Sequence, residues 1–324
     1  MQRVVIKGKF SHWIIVTSGV PQGSVLGPIL FIIFINDIDE AVHYSNSILK
    51  KFADDTKFGK IITDSSTADE LQNDLNKLVE WADTWQMNFN SEKCKVLHFG
   101  RGNPNYSYTM NGHAPAGTVL ESVSEEKDVG VWISTTMKPS LNCQKAANKG
   151  NAVLGQMARA ISYRDRITWI KLYKQYVRPH LEYCAQAWSP WLEQDKKVLE
   201  KVQERAVKMV SGLQSCNYKE RLKGLGLQSL EARRVRGDMI QVWKIKNNHA
   251  NLEKNVFFEP VKQNIQATRL RSVDININKR RANTDIRKYC FSNRIVDTWN
   301  TLPETIKRSG TLNSFKNMYD KLWS

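Results

Sequence analysis

The sequence has few cysteines, and their placement does not suggest a cross-linked framework. The five are Cys94, Cys143, Cys184, Cys216 and Cys290, an odd number spread widely along the chain. No Cys-x-x-Cys pair occurs, so neither a disulfide-rich secreted fold nor a compact zinc ribbon is indicated. A reducing compartment fits this cysteine usage best.

Long apolar runs are also missing. Ile29–Ile35 is wholly apolar but only seven residues long, far short of the roughly 20 residues that a membrane span requires. The N-terminus has neither the apolar stretch nor the small-residue cleavage site of a secretory signal. We therefore expect an intracellular protein with no membrane partner.

Acidic residues are scarce relative to basic ones, and the imbalance is uneven. The net charge is +16 and the sequence pI is about 9.6. Residues 1–100 carry 10 Lys or Arg against 12 Asp or Glu, whereas the remaining residues carry 38 against 20, a balance of +18. A basic surface of this size attracts polyanions such as nucleic acid. A basic, solvated surface with no specific ligand explains the charge equally well.

The periodicity divides the chain near residue 140. Before it, short β-prone runs alternate with helices, among them an apolar helix over about 28–42 that we expect to be buried. A second helix repeats Leu71, Leu75, Leu78, Ala82 and Trp85 at helical spacing. After residue 140 helices predominate, predicted over 153–160, 169–183, 195–212, 230–247 and 311–323.

Two adjacent carboxylates lie in a predicted turn between short strands. Phe52-Ala53-Asp54-Asp55 places Asp54 and Asp55 side by side, where their charges repel unless water screens them or a cation neutralises them. Mg²⁺ takes one or two carboxylates together with substrate phosphates. A solvated hairpin tip is the plain alternative, and the short motif alone does not decide between them.

The surrounding motifs resemble the palm of a reverse transcriptase of jockey-like LINE (non-LTR) retrotransposons. The segment Ser18–Pro28, containing Pro21-Gln22-Gly23, is similar to the family's nucleotide-facing loop, and Ala53-Asp54-Asp55 to its metal-binding box. Asn90–Lys93 and Asp128–Val131 follow in the order of the family's next motif and its primer-gripping strands. The stretches around Tyr176–Cys184 and Trp299–Pro303 are similar to the downstream region of these elements.

This resemblance implies roles for individual residues. Asp54 would be the principal ligand of a two-metal Mg²⁺ site, with Asp55 as a supporting carboxylate. Gln22 and Gly23 would face the incoming nucleotide and the template base, although a plain turn before a helix is the alternative. Lys93 would donate a proton to the pyrophosphate leaving group, or it is an ordinary solvated lysine.

The same resemblance implies an α+β architecture. We expect a partial palm over 1–140, an antiparallel sheet with packed helices, then a helical, basic thumb-like region over 141–250 and a basic C-terminal region over 251–324. The implied partners are an RNA template, a DNA primer and deoxynucleoside triphosphates, with no stable protein partner. Nucleus and cytoplasm are the expected locations by family analogy.

The sequence departs from the family's pattern in one respect. The family has a further metal-binding aspartate upstream of the Pro-Gln-Gly loop, but residues 1–17 contain no Asp or Glu. We therefore expect an N-terminally truncated reverse transcriptase that is a poor polymerase or inactive as given. Two alternatives are a catalytically dead remnant that still binds RNA or primer–template, and a non-functional pseudogene product.

Two further groups allow a functional and a structural interpretation. His180 and Cys184 have a spacing that suits zinc, but no second pair of ligands is visible, so a helix face is favoured. Trp169, Tyr173 and Tyr176 could stack on bases, although their helical spacing favours core positions.

Overall fold

The computed structural model describes residues 1–17, 19, 23–42, 46–110, 117–259 and 275–322. Gln22 lies outside these ranges. The chain divides into two compact units, Met1–Ser124 and Glu125–Ser324. The contact boundary therefore falls before the change in periodicity near residue 140, and the three-part division into palm, thumb and C-terminal region stays a prediction.

The first unit combines helices with short strand pairs. Its elements in chain order are β1 (Val5–Ile6), β2 (Lys9–Phe10), α1 (Gly27–Phe34), a 3-10 helix (Asn36–Val42), β3 (Ile48–Phe52), β4 (Asp55–Gly59), α2 (Ser65–Thr84), β5 (Lys95–Val96), β6 (Thr109–Met110), β7 (Thr118–Val119) and β8 (Glu121–Ser122). Strands β1–β2, β3–β4 and β6–β7 pair antiparallel, and β5–β8 pair parallel.

The mixed α and β content of this unit agrees with the sequence prediction, but the single antiparallel sheet does not appear. Within the described ranges the strands pair only in twos. Pairs of two to five residues offer few backbone hydrogen bonds, and an isolated two-stranded hairpin is marginally stable in water. The β3–β4 and β6–β7 pairs gain stability from side chains that pack against helix α2, whereas every residue of β1 and β2 is exposed.

Helix α2 supplies most of that packing. Its N-terminus is closed by a capping box, in which the Thr67 amide donates to Asp64 Oδ1 at 2.8 Å and the Asp64 amide donates to Thr67 Oγ1 at 3.1 Å. Of the five residues that repeat at helical spacing, four are buried: Leu71, Leu75, Leu78 and Ala82. The placement of Trp85 on this helix is wrong, because Trp85 follows its end and is 46% exposed. Trp81 is buried one turn earlier, and its indole N–H donates to Asp37 Oδ1 at 3.2 Å.

The prediction that the apolar helix is buried is wrong for most of α1. Ile29, Ile32 and Ile33 are more than half exposed. Only one edge of the segment reaches the core, through Phe31 and the buried Ile35. The apolar composition of α1 would allow burial on every side, but burial also requires neighbouring elements. The described residues do not cover the other faces of α1.

The second unit is mainly helical. It contains β9 (Glu125–Asp128), β10 (Val131–Ser134), α3 (Ser140–Ala160), α4 (Arg166–Leu172), a π-helical turn (Tyr173–Val177), α5 (Arg178–Glu182), α6 (Ala185–Trp188), α7 (Glu193–Lys208), α8 (Tyr218–Leu225), α9 (Leu230–Lys246), α10 (Lys254–Phe257), α11 (Asp285–Tyr289), α12 (Phe291–Arg294), α13 (Val296–Thr301), α14 (Glu304–Lys307) and α15 (Leu312–Leu322). Strands β9 and β10 form an antiparallel hairpin. The predicted helical periodicity is therefore confirmed over most of this unit.

The predicted helix over 169–183 forms as α4, the π-helical turn and α5 in succession. Pro179 lacks an N–H group, which removes a regular helical hydrogen bond and favours a local change of pitch. Trp169 and Tyr173 are fully buried, and Trp169 Nε1 donates to the Ala206 carbonyl at 2.9 Å. These two aromatic residues are core residues, whereas Tyr176 is half exposed.

Two apolar cores stabilise the second unit. The first lies among α3, α5 and α7 and includes Leu154, Leu181 and Leu199. The second joins α9 to the C-terminal helices through Trp243, Trp299 and Phe315, among others. A bilayer-spanning helix, long and apolar enough for the purpose, is not found in the described part of the chain.

Candidate active site

The two adjacent carboxylates lie at the end of the β3–β4 hairpin. Phe52 pairs with Asp55, so Ala53 and Asp54 form a two-residue turn. Ala53 has a φ of +52°, a conformation that costs an L-residue roughly 1–2 kcal/mol. The predicted pair of strands is confirmed, with Asp54 in the turn itself and Asp55 as the first residue of β4.

Both carboxylates are exposed. The neighbouring Phe52 is 63% exposed. Because Phe52 and Asp55 are cross-strand partners, their side chains project from the same face of the hairpin. The tip therefore presents two carboxylates and an aromatic ring to the surroundings.

The base of the hairpin, in contrast, is anchored firmly. Lys51 Nζ donates to the carbonyls of Ile35 at 3.1 Å and Asn36 at 3.0 Å, and pairs with the Asp39 carboxylate at 2.9 Å. Three acceptors at the junction between α1 and the 3-10 helix thus fix one strand immediately before the turn.

Apolar side chains add to this anchoring. Leu49 of β3 and Phe58 of β4 pack against the cluster that contains Ile38 and Leu78. The hairpin, the 3-10 helix after α1 and helix α2 therefore share one core. An exposed turn on an anchored hairpin can hold its carboxylates in a defined position.

The Gly23 position fits both interpretations of its loop. Gly23 has a φ of +82°, which favours glycine, and it is exposed. Ser24 Oγ accepts from the Gly27 amide at 3.0 Å, and Pro28 occupies the first turn of α1. This geometry suits a loop that approaches a ligand closely, and it equally suits a turn that starts a helix. The proposed partner residue, Gln22, lies outside the described residues.

Lys93 lies in a turn after α2. Its amide donates to the Asn90 carbonyl at 3.0 Å and approaches Asn90 Oδ1 at 3.3 Å, while the residue is exposed. The turn explains why the backbone reverses here. Its proposed role in proton donation stays a prediction.

The carboxylate pair satisfies part of what Mg²⁺ needs. Carboxylate oxygens are hard ligands, and Mg²⁺ usually combines one or two of them with water and phosphate oxygens. In the ranges that the structure describes, no group of three or more Asp, Glu, His or Cys residues is placed to hold a metal ion. Asp54 and Asp55 therefore fit a metal whose remaining ligands come from water or substrate.

Sequence reasoning missed the role of Lys51. The available signal was the two-residue period of the strand Ile48–Phe52, which places Lys51 on the same face as the apolar Leu49. Its side chain is only 19% exposed, and a lysine at such a position needs acceptors. The pattern could indicate that acceptors exist, but not where they lie.

The Val129-Gly130 segment of the second unit, predicted to be a strand, is instead the turn of the β9–β10 hairpin. Both residues have positive φ, +42° and +85°, the pattern of a type I′ turn. Tyr183 Oη donates to the Val129 carbonyl at 3.1 Å. This contact holds the turn against the segment that follows α5.

His180 and Cys184 do not lie on one helix face. His180 lies within α5, whereas Cys184 follows the helix, is exposed and has a φ of +53°. The left-handed residue breaks the helical register that the spacing assumed. The prediction of a helix face is therefore confirmed for His180, which is half-buried on α5, and wrong for Cys184.

Comparison with known proteins identifies relatives for much of the chain. Residues 2–145 match the family model described as reverse transcriptase (RNA-dependent DNA polymerase). A probable RNA-directed DNA polymerase from transposon X-element of Drosophila melanogaster is 25% identical over 208 residues, covering 61% of this chain and 22% of that protein. No solved structure matches significantly.

Two further relatives are of the same kind. The RNA-directed DNA polymerase from mobile element jockey of Drosophila melanogaster is 23% identical over 209 residues, and its Drosophila funebris counterpart is 25% identical over 209 residues. Each match covers 61% of this chain and 22% of the relative. The chain thus aligns with about a fifth of the length of the curated relatives it matches.

Proposed function

We propose that this chain is part of an RNA-directed DNA polymerase of the jockey-like LINE type. Residues 2–145 match the reverse-transcriptase family model, and the similar proteins are RNA-directed DNA polymerases from transposon X-element and mobile element jockey. The complete protein would copy an RNA template onto a DNA primer, with deoxynucleoside triphosphates as substrates. Asp54 is the residue on which the proposal depends most.

The anchored hairpin tip is the observation that supports this function best. Lys51 and the side chains of Leu49 and Phe58 hold the hairpin, while Asp54 and Asp55 remain exposed at its end. Carboxylates held in place in this way would fix divalent metal ions without reorganising during the reaction. Divalent metal ions, when bound, would compensate the charge that develops on the attacking and leaving oxygens.

Individual roles follow from this arrangement. Asp54 and Asp55 would supply carboxylate oxygens to Mg²⁺, in a two-metal site in the complete protein. Gln22 and Gly23 would face the incoming nucleotide, and the positive φ of Gly23 permits close backbone approach. Lys93 would donate a proton to the pyrophosphate leaving group.

The architecture proposed for the complete enzyme assigns residues 1–140 to the palm, 141–250 to a thumb-like region and 251–324 to a basic C-terminal region. The excess of basic residues after residue 100, +18 in total, suits contact with the phosphate backbone of the template and primer. Priming on chromosomal DNA would require the protein to enter the nucleus. Imaging a tagged copy in cells would test this, and exclusion from the nucleus would oppose it.

A second candidate is a protein that binds primer–template without catalysis. This candidate is favoured because Asp54 and Asp55 stand without a third anionic metal ligand among the described residues near the turn. Losing one transition-state stabiliser commonly lowers a rate by about 10²–10³. Binding through basic residues would be unaffected by such a loss.

Primer extension on an RNA template with Mg²⁺ tests the proposal. Asp54→Ala is compared with the wild type and with Asp83→Ala, which removes an exposed aspartate from α2 in the same unit. We expect the wild type to incorporate nucleotides only slowly, and Asp54→Ala to lower that incorporation further, by at least about 10². Asp83→Ala should behave like the wild type.

The result separates the two candidates. Equal background incorporation by the wild type and Asp54→Ala would contradict a polymerase role for this chain. Salt-sensitive binding of an RNA–DNA duplex that persists in Asp54→Ala would then support the binding protein. If both incorporation and binding are absent from the folded protein, neither candidate survives.

A further inference from the structure

The β9–β10 hairpin of the second unit is attached to helix α3. The Trp132 amide donates to Asn142 Oδ1 at 3.0 Å, and Lys145 Nζ lies 4.5 Å from the centre of the Trp132 ring. Val131, the first residue of β10, is buried in the core that also contains Leu154. The second strand of the hairpin therefore has a fixed position on the helical part of this unit.

The turn of this hairpin has a backbone conformation that its sequence disfavours. Val129 has a φ of +42° and Gly130 a φ of +85°. Glycine adopts such an angle readily, but a β-branched residue rarely does. Type I′ turns usually have asparagine, aspartate or glycine at both positions. Strained backbone persists where the surrounding structure imposes it, and it is concentrated at functional sites.

Tyr183 makes the contacts that hold this turn. Its hydroxyl donates to the Val129 carbonyl at 3.1 Å. Its ring lies so close to Gly130 that a Cβ atom there would be 3.0 Å from a ring carbon. Because Tyr183 is 55% exposed, it contributes little to the apolar core, and its contacts serve to fix the turn.

The backbone of Tyr183 is itself fixed to the core. The Tyr183 amide donates to the Pro179 carbonyl at 2.9 Å, and its carbonyl accepts from Trp188 Nε1 at 2.7 Å. Trp188 is buried among the residues of the first core. Cys184 follows with a φ of +53°, so the chain leaves the helical path of α5 at this point. A continuous set of contacts thus runs from the core through Tyr183 to the hairpin turn.

We propose that Tyr183 is a positioning residue of the polymerase, which acts through the Val129–Gly130 turn on the end of the primer strand. The inference rests on the proposed function, because it takes the turn to be the part of the Asp128–Val131 motif that meets the primer. Gly130 is exposed and lacks a side chain, so the backbone of the turn can approach a nucleic-acid strand closely. Tyr183 itself would touch neither the nucleotide nor the metal.

Hydrogen exchange of the full chain, followed by mass spectrometry, tests whether Tyr183 holds the turn. Tyr183→Phe removes the hydroxyl alone, and Tyr183→Leu also removes the ring from Gly130. We expect amide exchange in the peptide covering residues 127–133 to be faster by about threefold in the first variant and by at least about tenfold in the second. Exchange in α7 should be unchanged. Tyr163→Phe, which alters a 75% exposed tyrosine of the same unit, should match the wild type in both places.

Binding of an RNA–DNA hybrid tests whether the turn meets the primer end. Fluorescence anisotropy compares a hybrid that has a recessed primer 3′ end with the same hybrid closed by a loop at each end, which offers no primer end. We expect Tyr183→Phe to weaken binding of the recessed hybrid about threefold and Tyr183→Leu at least about tenfold, while both bind the closed hybrid within about twofold of the wild type. A residue that serves stability alone would affect both hybrids equally or neither.

Three results would overturn the proposal. They are unchanged exchange of residues 127–133 in Tyr183→Leu, equal weakening of the two hybrids, and undiminished binding of the recessed hybrid. Primer extension separates this inference from the proposed function. If the wild type extends primers, Tyr183→Phe should raise KM for the recessed hybrid about threefold and leave kcat within about twofold, and a lower kcat at unchanged KM would count against the proposal. If the wild type extends none, the proposed polymerase function fails, while exchange and hybrid binding still decide the role of Tyr183.

Discussion

Gly150 of α3 is the position where a single methyl group should have the clearest effect on stability. A Cβ atom there would lie 2.9 Å from Leu181 Cδ2 and 3.3 Å from Val202 Cγ1. Leu181 is fully buried and Val202 is 1% exposed. Because both neighbours lie within a packed core, neither can move aside without disturbing others.

The expected magnitude combines two opposing effects. Replacing glycine by alanine within a helix stabilises it by about 1 kcal/mol, whereas inserting a methyl group into a packed core costs about 1–3 kcal/mol. Gly155 in the same helix offers a matched control, because a Cβ atom there meets no other heavy atom within 4 Å. We therefore expect Gly155→Ala to raise the free energy of unfolding, and Gly150→Ala to lie about 1–3 kcal/mol below Gly155→Ala.

Urea denaturation followed by far-ultraviolet circular dichroism measures this difference. Most of the helical signal comes from the second unit, so its transition should dominate the curve. The variants are compared by the urea concentration at the midpoint of unfolding, and the slope of unfolding free energy against urea concentration should be the same in both. If the two variants are stabilised equally, α3 does not pack against α5 and α7 as described, and the reasoning is refuted.

Two further predictions concern the same unit. Gly130→Ala should destabilise it more than Gly212→Ala, by roughly 1 kcal/mol. Both glycines have positive φ, but only at Gly130 would a Cβ atom lie 3.0 Å from a ring carbon of Tyr183. Equal unfolding free energies of the two variants would contradict this close contact. The hydrogen bond from Arg236 lowers the pKa of the Asp320 carboxyl group from its ordinary value. The stability that this carboxylate contributes is therefore present above the pKa of an unfolded aspartate, and it is lost as the pH falls through the lowered pKa. Asp320→Asn should therefore be less stable than the wild type at neutral pH but not in strong acid, and a difference in urea midpoint that persists in acid would oppose this.

Periodicity predicted α2 well because its apolar face is repeated over five turns. The burial of Leu71, Leu75 and Leu78 follows without knowledge of their packing partners. A 20-residue amphipathic helix buries its apolar side in almost any compact unit. Trp85 was misplaced because the helix ends at Thr84, and helix ends are set by a few local hydrogen bonds that periodicity does not contain.

Burial of α1 could not be predicted from its composition. The run from Ile29 to Ile35 is apolar, but burial depends on which other elements reach it, and that is a property of tertiary structure. The strand pairs show the same limit, since β-propensity identifies extended segments without fixing how many of them join into one sheet.

The candidate sites differ in how far the sequence could reveal them. Asp54 and Asp55 were found from adjacent carboxylates and the motifs around them, and their turn was located correctly. The anchoring by Lys51 was not found, because it depends on acceptors that residues distant in sequence bring near.

The central claim is that the hairpin tip holds a divalent metal ion beside the incoming nucleotide. Electron paramagnetic resonance of Mn²⁺ tests it directly, because the free-ion signal falls when the metal binds. The chain would be titrated in the presence of an RNA–DNA duplex and a non-hydrolysable deoxynucleoside triphosphate. We predict that the wild type and Asp83→Ala bind Mn²⁺ at least about tenfold more tightly than a variant with both Asp54→Ala and Asp55→Ala. Equal Mn²⁺ affinity in all three proteins would contradict the claim.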